Sequence, residues 1–264
     1  MKHWNFNQDL NQNLGPGRRA ARVVQSLIFA LVLPIGISAQ DYLSEESLFE
    51  EEIEGNVEVY DPLEPVNRFT FAVNDLVLLN LVQPLANGYQ AITPDPVEES
   101  ASNFMRNLKY PVRLAGNLLQ GRLRGAWVET GRFAVNSTVG VAGLFTPADG
   151  IDGLEPIPEE DIGQALGSWG FAGGPYLVLP LLGPSNLRDF GGLIADRAVN
   201  PLDQPFSVTD DWNWEWSAGL AGAEFIVASP TIVDRYLKMK GSAIDPYSSL
   251  MNSYTQFRQG AIEE

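Results

Sequence analysis

The segment from Gly163 to Gly192 combines residue types that could bind a ligand. It contains a glycine-rich run with one tryptophan, a short apolar run ending at Leu182, and the adjacent pair Arg188 and Asp189. Glycine lets the backbone adopt positive φ and approach a neighbour or a ligand closely, and it disfavours regular helix and sheet. The pattern indicates an irregular apolar segment, and an ordinary buried loop is the alternative.

The residue inventory restricts the chemistry that the chain could perform. It has no cysteine, and its single histidine, His3, precedes an apolar N-terminal stretch. Thiolate and Ser-His catalysis, disulfides and cysteine-ligated metals are therefore excluded. A hydrolase that uses Asp161 or Asp189 is the remaining enzyme hypothesis, but the sequence offers no convincing acid pair. We therefore expect no catalytic residue, no metal site and no cofactor.

A cluster of cations interrupts an otherwise acidic chain. Between residues 106 and 132 six bases accompany one acid, Glu129, so the local charge is +5 in a chain whose net charge is −16. Such a cluster could bind phosphate head groups or an acidic partner, and a solvated helix face is the alternative. The six residues are Arg106, Lys109, Arg113, Arg122, Arg124 and Arg132.

The first 60 residues are typical of a targeting and tethering region. Three arginines precede an apolar stretch over residues 23–39, which predicts a secretory signal (1–39) cleaved after Ala39, with an uncleaved anchor as the alternative. Cleavage would remove four cations and one anion and would change the net charge from −16 to −19. Residues 40–60 carry eight acids and no base, which predicts a disordered acidic tether.

From residue 61 onward the pattern is mainly helical, with helices separated by glycine and proline. Short helices with wide apolar faces fit an all-α globular domain, or a ring or disc of amphipathic helices lying in one membrane leaflet. Asp95 is expected to cap one helix, with Pro96 as its first residue, and Pro158-Glu159-Glu160-Asp161 is expected to form the capped, negatively charged start of another. The other predicted helices span residues 67–82, 112–120, 123–134, 217–227 and 246–258.

Ordered motifs run through residues 61–260. Residues 61–69 read DPLEPVNRF, and Asn103-Phe104 precedes Asn107-Leu108. Later blocks read NLLQG at 117–121, RFAVNS at 132–137, EDIGQALG at 160–167, GPY at 174–176, LLGPS at 181–185 followed by Arg188-Asp189, and DPY at 245–247. Together these residues resemble the MlaA/VacJ family of bacterial outer-membrane proteins.

The resemblance implies a fold and a function. The fold would be mainly α, a ring or disc of short amphipathic helices around an amphipathic channel, with a glycine-rich loop. The protein would remove misplaced phospholipids from the outer leaflet of the outer membrane and pass them to a periplasmic carrier, which maintains lipid asymmetry. Its partners would be phospholipid, the inner leaflet of the outer membrane and a porin trimer. The alternative is a soluble periplasmic lipid-binding or scaffold protein that has lost membrane insertion.

Residue roles follow from the resemblance as hypotheses. The cations of residues 106–132 would contact head groups or a partner. Family members are typically lipoproteins with a cysteine at the cleavage site, which this chain lacks, so its anchoring would depend on apolar helix faces. The signature residues would be Asp61, Pro62, Asn67, Arg68, Asn103 and Phe104. The lipid channel or its gate would include Gly167, Trp169, Gly170, Gly173, Gly174, Tyr176, Arg188 and Asp189.

Overall fold

The computed structural model describes residues 59–200 and 214–263, and the side chains of residues 214–218 are not described. The predicted signal sequence and all but the last two residues of the predicted tether lie outside the described residues. The described part is mainly α-helical, as the sequence predicts. A short antiparallel hairpin is the sheet component of this part of the chain.

The elements follow one another along the chain with short connections. The helices are Glu64–Val77 (α1), Gln83–Ile92 (α2), Asp95–Leu108 (α3), Tyr110–Leu119 (α4), Leu123–Thr138 (α5), Ile162–Ser168 (α6), Leu187–Val199 (α7), Trp214–Ser242 (α8) and Pro246–Glu263 (α9). The strands Tyr176–Leu179 (β1) and Gly183–Asn186 (β2) pair antiparallel, with Leu179 opposite Gly183. Pro147–Gly150 forms a 3-10 turn.

The first helix is longer than its apolar stripe predicts. A π-helical turn, Leu78–Val82, joins α1 to α2, so that one continuous helix runs from Glu64 to Ile92 rather than over 67–82. Pro65 lies at the first or second position of α1, where a missing N–H leaves no intrahelical bond unmade, whereas Pro84 follows the π-helical turn inside the continuous helix.

The helix α8 also continues past its predicted end at residue 227. Pro230 lies inside it and lacks the N–H that would bond the carbonyl of Ile226. The hydroxyl of Ser229 donates to that carbonyl at 2.7 Å instead. The side chain next to the proline therefore satisfies the carbonyl, and the helix continues to Ser242.

Helix starts follow the capping pattern in part. Asp161 precedes α6 and accepts a hydrogen bond from the backbone N–H of Gln164 at 2.6 Å, as its position in the sequence predicts. The prediction for α3 was wrong in detail, because the helix already includes Asp95 and the residue at the cap is Pro94, which has no side-chain donor or acceptor.

Two asparagines of α1 hold the hairpin. The carboxamide of Asn67 donates to the carbonyl of Tyr176 at 3.0 Å and accepts from the N–H of Val178 at 2.8 Å. Two turns further on, Asn74 donates to Leu179 O at 2.9 Å and accepts from Leu181 N at 2.7 Å. Since β2 pairs with the other edge of β1, both edges of β1 are hydrogen-bonded.

Aromatic and aliphatic side chains pack where the hairpin meets the long helices. Tyr176 and Val178 of β1 are buried against Ile232 of α8 and against Tyr247 and Tyr254 of α9. The rings of Tyr176 and Tyr247 meet edge to face, with centroids 6.2 Å apart. This cluster lies between α1, the hairpin, α8 and α9.

The asparagine clamp on the hairpin gives a first prediction. Asn67→Ala leaves the buried N–H of Val178 and the carbonyl of Tyr176 without their partner, and we expect the free energy of unfolding to fall by about 2–4 kcal/mol. Asn87→Ala, at an exposed position of the same continuous helix, is the control and should change it little. Denaturant unfolding in mild detergent measures the stability of both variants. Equal losses in the free energy of unfolding would contradict the role of Asn67 in holding the hairpin.

Candidate functional site

The continuous helix α1–α2 exposes an apolar face. Phe69, Val73 and Leu76 lie one turn apart and are 71%, 40% and 63% exposed. By length and composition the helix from Glu64 to Ile92 is apolar enough to cross a membrane, but only 11% of its most apolar window is buried inside the protein. A core helix of a water-soluble protein would bury such a stripe, so this face is suited to an apolar environment.

Apolar exposure extends to other helices and loops. The α4–α5 turn exposes Leu118, Leu119 and Leu123, and Trp127 follows one turn after Leu123 with 73% of its surface exposed. Large exposed apolar side chains elsewhere in the described residues include Val139, Val141, Phe145, Ile151, Leu187, Ile194 and Ile244. Exposure on this scale marks a surface that contacts lipid or another protein.

The glycine-rich loop after α6 presents two aromatic side chains at the surface. Trp169 and Phe171 are each more than half exposed. Gly170 and Gly174 adopt positive φ of 88° and 72°, a conformation that glycine accepts without strain. The indole N–H of Trp169 donates to the carbonyl of Leu119 at 2.9 Å, which places the loop beside the apolar α4–α5 turn.

Other residues of the predicted gate lie in the interior. Tyr176 is part of the aromatic cluster, and Gly167 lies in α6, where a Cβ would come within 2.5 Å of the Ile262 side chain of α9. The side chains of Arg188 and Asp189 at the start of α7 are both buried, and they contact each other at 2.8 Å. The predicted set therefore divides into an exposed loop and a buried structural part.

Asp189 is the centre of a buried ionic network. Arg258 of α9 donates to one carboxylate oxygen at 2.9 Å, and Tyr254 donates to the same oxygen at 2.5 Å. Arg258 also donates to Asp161 at 3.0 Å, so one guanidinium links α9 to the starts of α6 and α7. Burial alone would raise the pKa of Asp189, but the charges and hydrogen bonds of Arg258 and Arg188 lower it to about 2.

The network also reaches the exposed loop. Arg188, whose Nε is paired with Asp189, uses Nη1 to donate to the carbonyl of Phe171 at 3.4 Å. The N–H of Arg188 donates to the carbonyl of Gly173 at 3.1 Å. The start of α7 thus fixes the end of the glycine-rich loop, while Trp169 and Phe171 extend from it.

The predicted head-group cations mostly form ion pairs in the structure. Lys109 lies 2.6 Å from Glu224 and Arg113 lies 2.9 Å from Glu129, and all four side chains are largely buried. Arg124 is exposed and has no ion pair among the described residues. The paired carboxylates reduce the local positive charge on which the prediction rested. The remaining pairs are Arg106 with Glu159, Arg122 with Glu160 and Arg132 with Asp149.

The signature residues lie at the junction of α1 with the hairpin and α9. Asp61 accepts from Asn67 and from the hydroxyl of Tyr247, and Arg68 donates to Asp245 at 2.9 Å with its guanidinium over the Tyr247 ring. The contacts of Asp245 with Arg68 and of Tyr247 with Asp61 also explain the late DPY motif. Pro62 is exposed before α1, and Asn103 and Phe104 lie half-buried in α3.

Sequence reasoning missed three interactions that position these parts. They are the hydrogen bonds of Asn74 to the hairpin, the ionic network of Arg258, and a close approach of two glycines. Each of them joins residues that are distant along the chain. At this close approach, a Cβ on Gly192 of α7 would lie 2.4 Å from the Cα of Gly163 of α6. The sequence shows that the segment from Gly163 to Gly192 is rich in glycine, but only the fold determines which of these glycines face another helix. Within residues 59–200 and 214–263 no group of three or more metal-ligating side chains is placed to hold a metal ion.

The fold and its exposed faces define a mainly helical protein with apolar faces on its surface, and known proteins share this fold. The sequence model of the MlaA lipoprotein family matches residues 59–261. An uncharacterized protein of Rickettsia prowazekii (strain Madrid E) is 32% identical over 216 residues, covering 79% of this chain and 80% of the relative. The intermembrane phospholipid transport system lipoprotein MlaA of Escherichia coli (strain K12) is 31% identical over 199 residues, covering 74% and 76%.

A solved structure agrees with this assignment. It is described as the structural basis for maintenance of bacterial outer membrane lipid asymmetry, and it superposes with a TM-score of 0.63 at 30% identity. The match covers 76% of this chain and 98% of that chain. The chain belongs to the MlaA lipoprotein family, which confirms the resemblance inferred from the ordered motifs.

Adjacent glycines of α7 provide a matched pair for testing the close crossing. Gly192→Ala places a methyl group against the backbone of Gly163, and we expect a loss of about 1–3 kcal/mol in the free energy of unfolding. At Gly191 nothing lies within 4 Å of an added Cβ, so Gly191→Ala should be neutral or stabilise the helix by up to about 1 kcal/mol. Equal free energies of unfolding for the two variants would contradict the close contact between Gly192 and Gly163.

The low pKa of Asp189 predicts acid sensitivity. Its folded-state pKa of about 2 lies below the ordinary value of 3.8, so its stabilising effect is present above about pH 4 and is lost as the pH falls towards 2. The free energy at stake is roughly 2 kcal/mol. Unfolding from pH 5 to pH 2 should show a shallower pH dependence for Asp189→Asn than for the native chain. Asp152→Asn, in an exposed turn, should retain the native slope.

Proposed function

We propose that this chain removes mislocalised phospholipids from the outer leaflet of the outer membrane and passes them to a periplasmic carrier for retrograde transport. The observation that carries the proposal is the exposed apolar face of α1–α2 in a chain that belongs to the MlaA lipoprotein family. Relatives in three bacteria are named as components of an intermembrane phospholipid transport system. The chemistry is non-covalent transfer, without an enzymatic step.

The proposal places the helical domain in the inner leaflet of the outer membrane, on the periplasmic side. The exposed faces of α1–α2 and of the α4–α5 turn would contact acyl chains, in a ring of helices around an amphipathic channel. Interfacial amphipathic helices bind membranes in proportion to the apolar area that they bury. A chain without cysteine can therefore attach to lipid through these faces, beside a porin trimer as its membrane partner.

The soluble alternative is less consistent with this surface. A periplasmic lipid-binding protein or scaffold would expose Phe69, Leu76 and Trp127 to water. Soluble monomers rarely expose contiguous apolar patches of more than a few hundred Å². A net charge of −16 favours solubility of the chain as a whole, but it does not cover these apolar faces.

The exposed glycine-rich loop suits a gate beside the channel. Its aromatic residues, Trp169 and Phe171, extend from a backbone whose positive-φ glycines would allow it to move, and the hydrogen bonds from Arg188 to the loop would open when the gate opens. Tyr176 and Gly167 would support the gate from the interior and would not contact lipid. Of the predicted head-group cations, Arg124 remains available to a phosphate.

Deletion of the chain from its host tests the proposed function. We expect phospholipid in the outer leaflet, measured by its accessibility to an external phospholipase in intact cells, to rise on deletion and to return when the gene is restored. Unchanged accessibility would contradict lipid removal and would favour the soluble alternative.

An engineered disulfide tests the gate, and the absence of native cysteines makes the experiment specific. A Cβ built on Gly174 lies 3.3 Å from the Cβ of Leu187, close to the separation of about 3.5–4.5 Å in disulfides. We expect the double variant Gly174→Cys and Leu187→Cys to raise outer-leaflet phospholipid when oxidised. The same double variant kept reduced is the control, because it carries the strain of a cysteine at the positive φ of Gly174 (72°) without the crosslink. Normal lipid removal by the oxidised protein would contradict a gate that moves where Gly174 meets Leu187.

A further inference from the structure

One face of α9 lies against the elements that hold the glycine-rich loop. Tyr254, Arg258 and Ile262 are spaced four residues apart, so their side chains share this face. Tyr254 and Arg258 are buried, and Ile262 is partly buried near the end of the helix. The C-terminal half of α9 is therefore packed on α6 and on the start of α7.

The carboxylate of Asp189 is bound by α9 at one oxygen and by Arg188 at the other. Oδ2 accepts from the hydroxyl of Tyr254 at 2.5 Å and from Nε of Arg258 at 2.9 Å. The carboxamide of Asn186 donates to the same oxygen at 2.7 Å, and Oδ1 accepts from Nε of Arg188 at 2.8 Å. Because the two oxygens belong to one rigid carboxylate, the contacts of α9 at Oδ2 also fix the oxygen that orients Arg188.

Arg188 connects this carboxylate to the glycine-rich loop. Its Nη1 donates to the carbonyl of Phe171 at 3.4 Å, and its backbone N–H donates to the carbonyl of Gly173 at 3.1 Å. Arg188 is the second residue of α7, a position where the helix itself supplies no partner for a backbone N–H. The protection of this N–H from solvent exchange therefore reports whether the loop is in contact with α7.

A second contact between α9 and the loop lies at the end of α6. Gly167 is in the last turn of α6, two residues before Trp169. A Cβ at Gly167 would lie 2.5 Å from Cδ1 of Ile262 and 2.9 Å from Nη1 of Arg188. Carbon atoms that are not bonded pack best at about 3.5–4.0 Å, so glycine leaves the space that these two side chains use. The end of α9 and the guanidinium of Arg188 thus meet directly before the loop.

We propose that the C-terminal half of α9 positions the glycine-rich loop, and that the loop opens only when this half of α9 loosens its contacts with α6 and α7. Tyr254 and Arg258 are positioning residues that act through Asp189, and Ile262 is a positioning residue at the end of α6. The inference rests on the proposed function for the role of the loop as a gate, and it names the element that controls the gate.

Two tyrosines of α9 form a matched pair for the test. Tyr254→Phe removes the hydroxyl that donates to Asp189, next to the loop. Tyr247→Phe removes a hydroxyl that donates to Asp61, at the other end of α9. Hydrogen–deuterium exchange of the full chain in mild detergent, followed by mass spectrometry, measures peptides that contain the N–H of Arg188.

The two variants should differ in this exchange. We expect Tyr254→Phe to speed exchange at Arg188 by several-fold, up to about tenfold, because a hydrogen bond to a charged group contributes roughly that factor to a local opening equilibrium. Tyr247→Phe should leave exchange at Arg188 at the native rate. Equal rates in the two variants would overturn the proposal, because a purely structural role of α9 would affect both alike.

A second pair near the end of α9 tests the contact with α6. Ile262→Ala removes the side chain that packs beside Gly167 and should speed exchange at Arg188 several-fold. Gln259→Ala, at an exposed position of the same helix, should have no effect. Exchange at the native rate in Ile262→Ala would contradict the assignment. This pair also decides the question should Tyr254→Phe fail to fold.

The two proposals fail separately. Faster exchange in Tyr254→Phe alone, in a chain whose deletion leaves outer-leaflet phospholipid unchanged, would support control of the loop by α9 and reject the transport function. A rise in outer-leaflet phospholipid on deletion, with equal exchange in the two tyrosine variants, would support transport and reject this inference.

Discussion

Buried polar interactions join parts of this protein that lie far apart along the chain. The carboxamides of Asn67 and Asn74 fix the hairpin to α1, and Arg258 joins α9 to the starts of α6 and α7 through Asp161 and Asp189. Hydrophobic burial stabilises a fold only where water is the alternative environment. If the outer surface contacts acyl chains, as proposed, moving apolar side chains inwards gains little there, and side-chain packing together with specific polar contacts holds the helices together.

The same constraint explains the distribution of side chains. Buried residues include Asn107, Arg113, Asn117 and Glu129, whereas Phe69, Leu76 and Trp127 are exposed. Removing one partner from such a buried pair leaves the other uncompensated, at a cost of about 3–5 kcal/mol. The ion pairs therefore fix the arrangement of helices around the site. Glycine at positions 163 and 192 serves the same end, because it lets α6 and α7 approach closely enough for the charges to meet.

Local features of this architecture were readable from the sequence, and long-range partners were not. The cap at Asp161, the mainly helical pattern and the ordered family motifs depend on neighbouring residues, and each was confirmed. The partner of Asn67 lies 109 residues away, so no local pattern could reveal it. The charge of the cluster over residues 106–132 was counted without Glu159, Glu160 and Glu224, which the fold brings next to it. The end predicted for α8 failed because the Ser229 hydroxyl compensates for the proline.

The proposed function requires that the apolar helix faces hold this chain among lipids without a cysteine-linked anchor. Alkaline carbonate extraction of envelopes from cells that make the full chain tests this requirement most directly. Phe69→Asp and Val73→Asp together alter the apolar face, and Asn87→Asp on the same helix is the control. We expect the native chain and the control to remain with the outer membrane and the variant with the altered face to be released. Release of the native chain as a soluble monomer would contradict the claim.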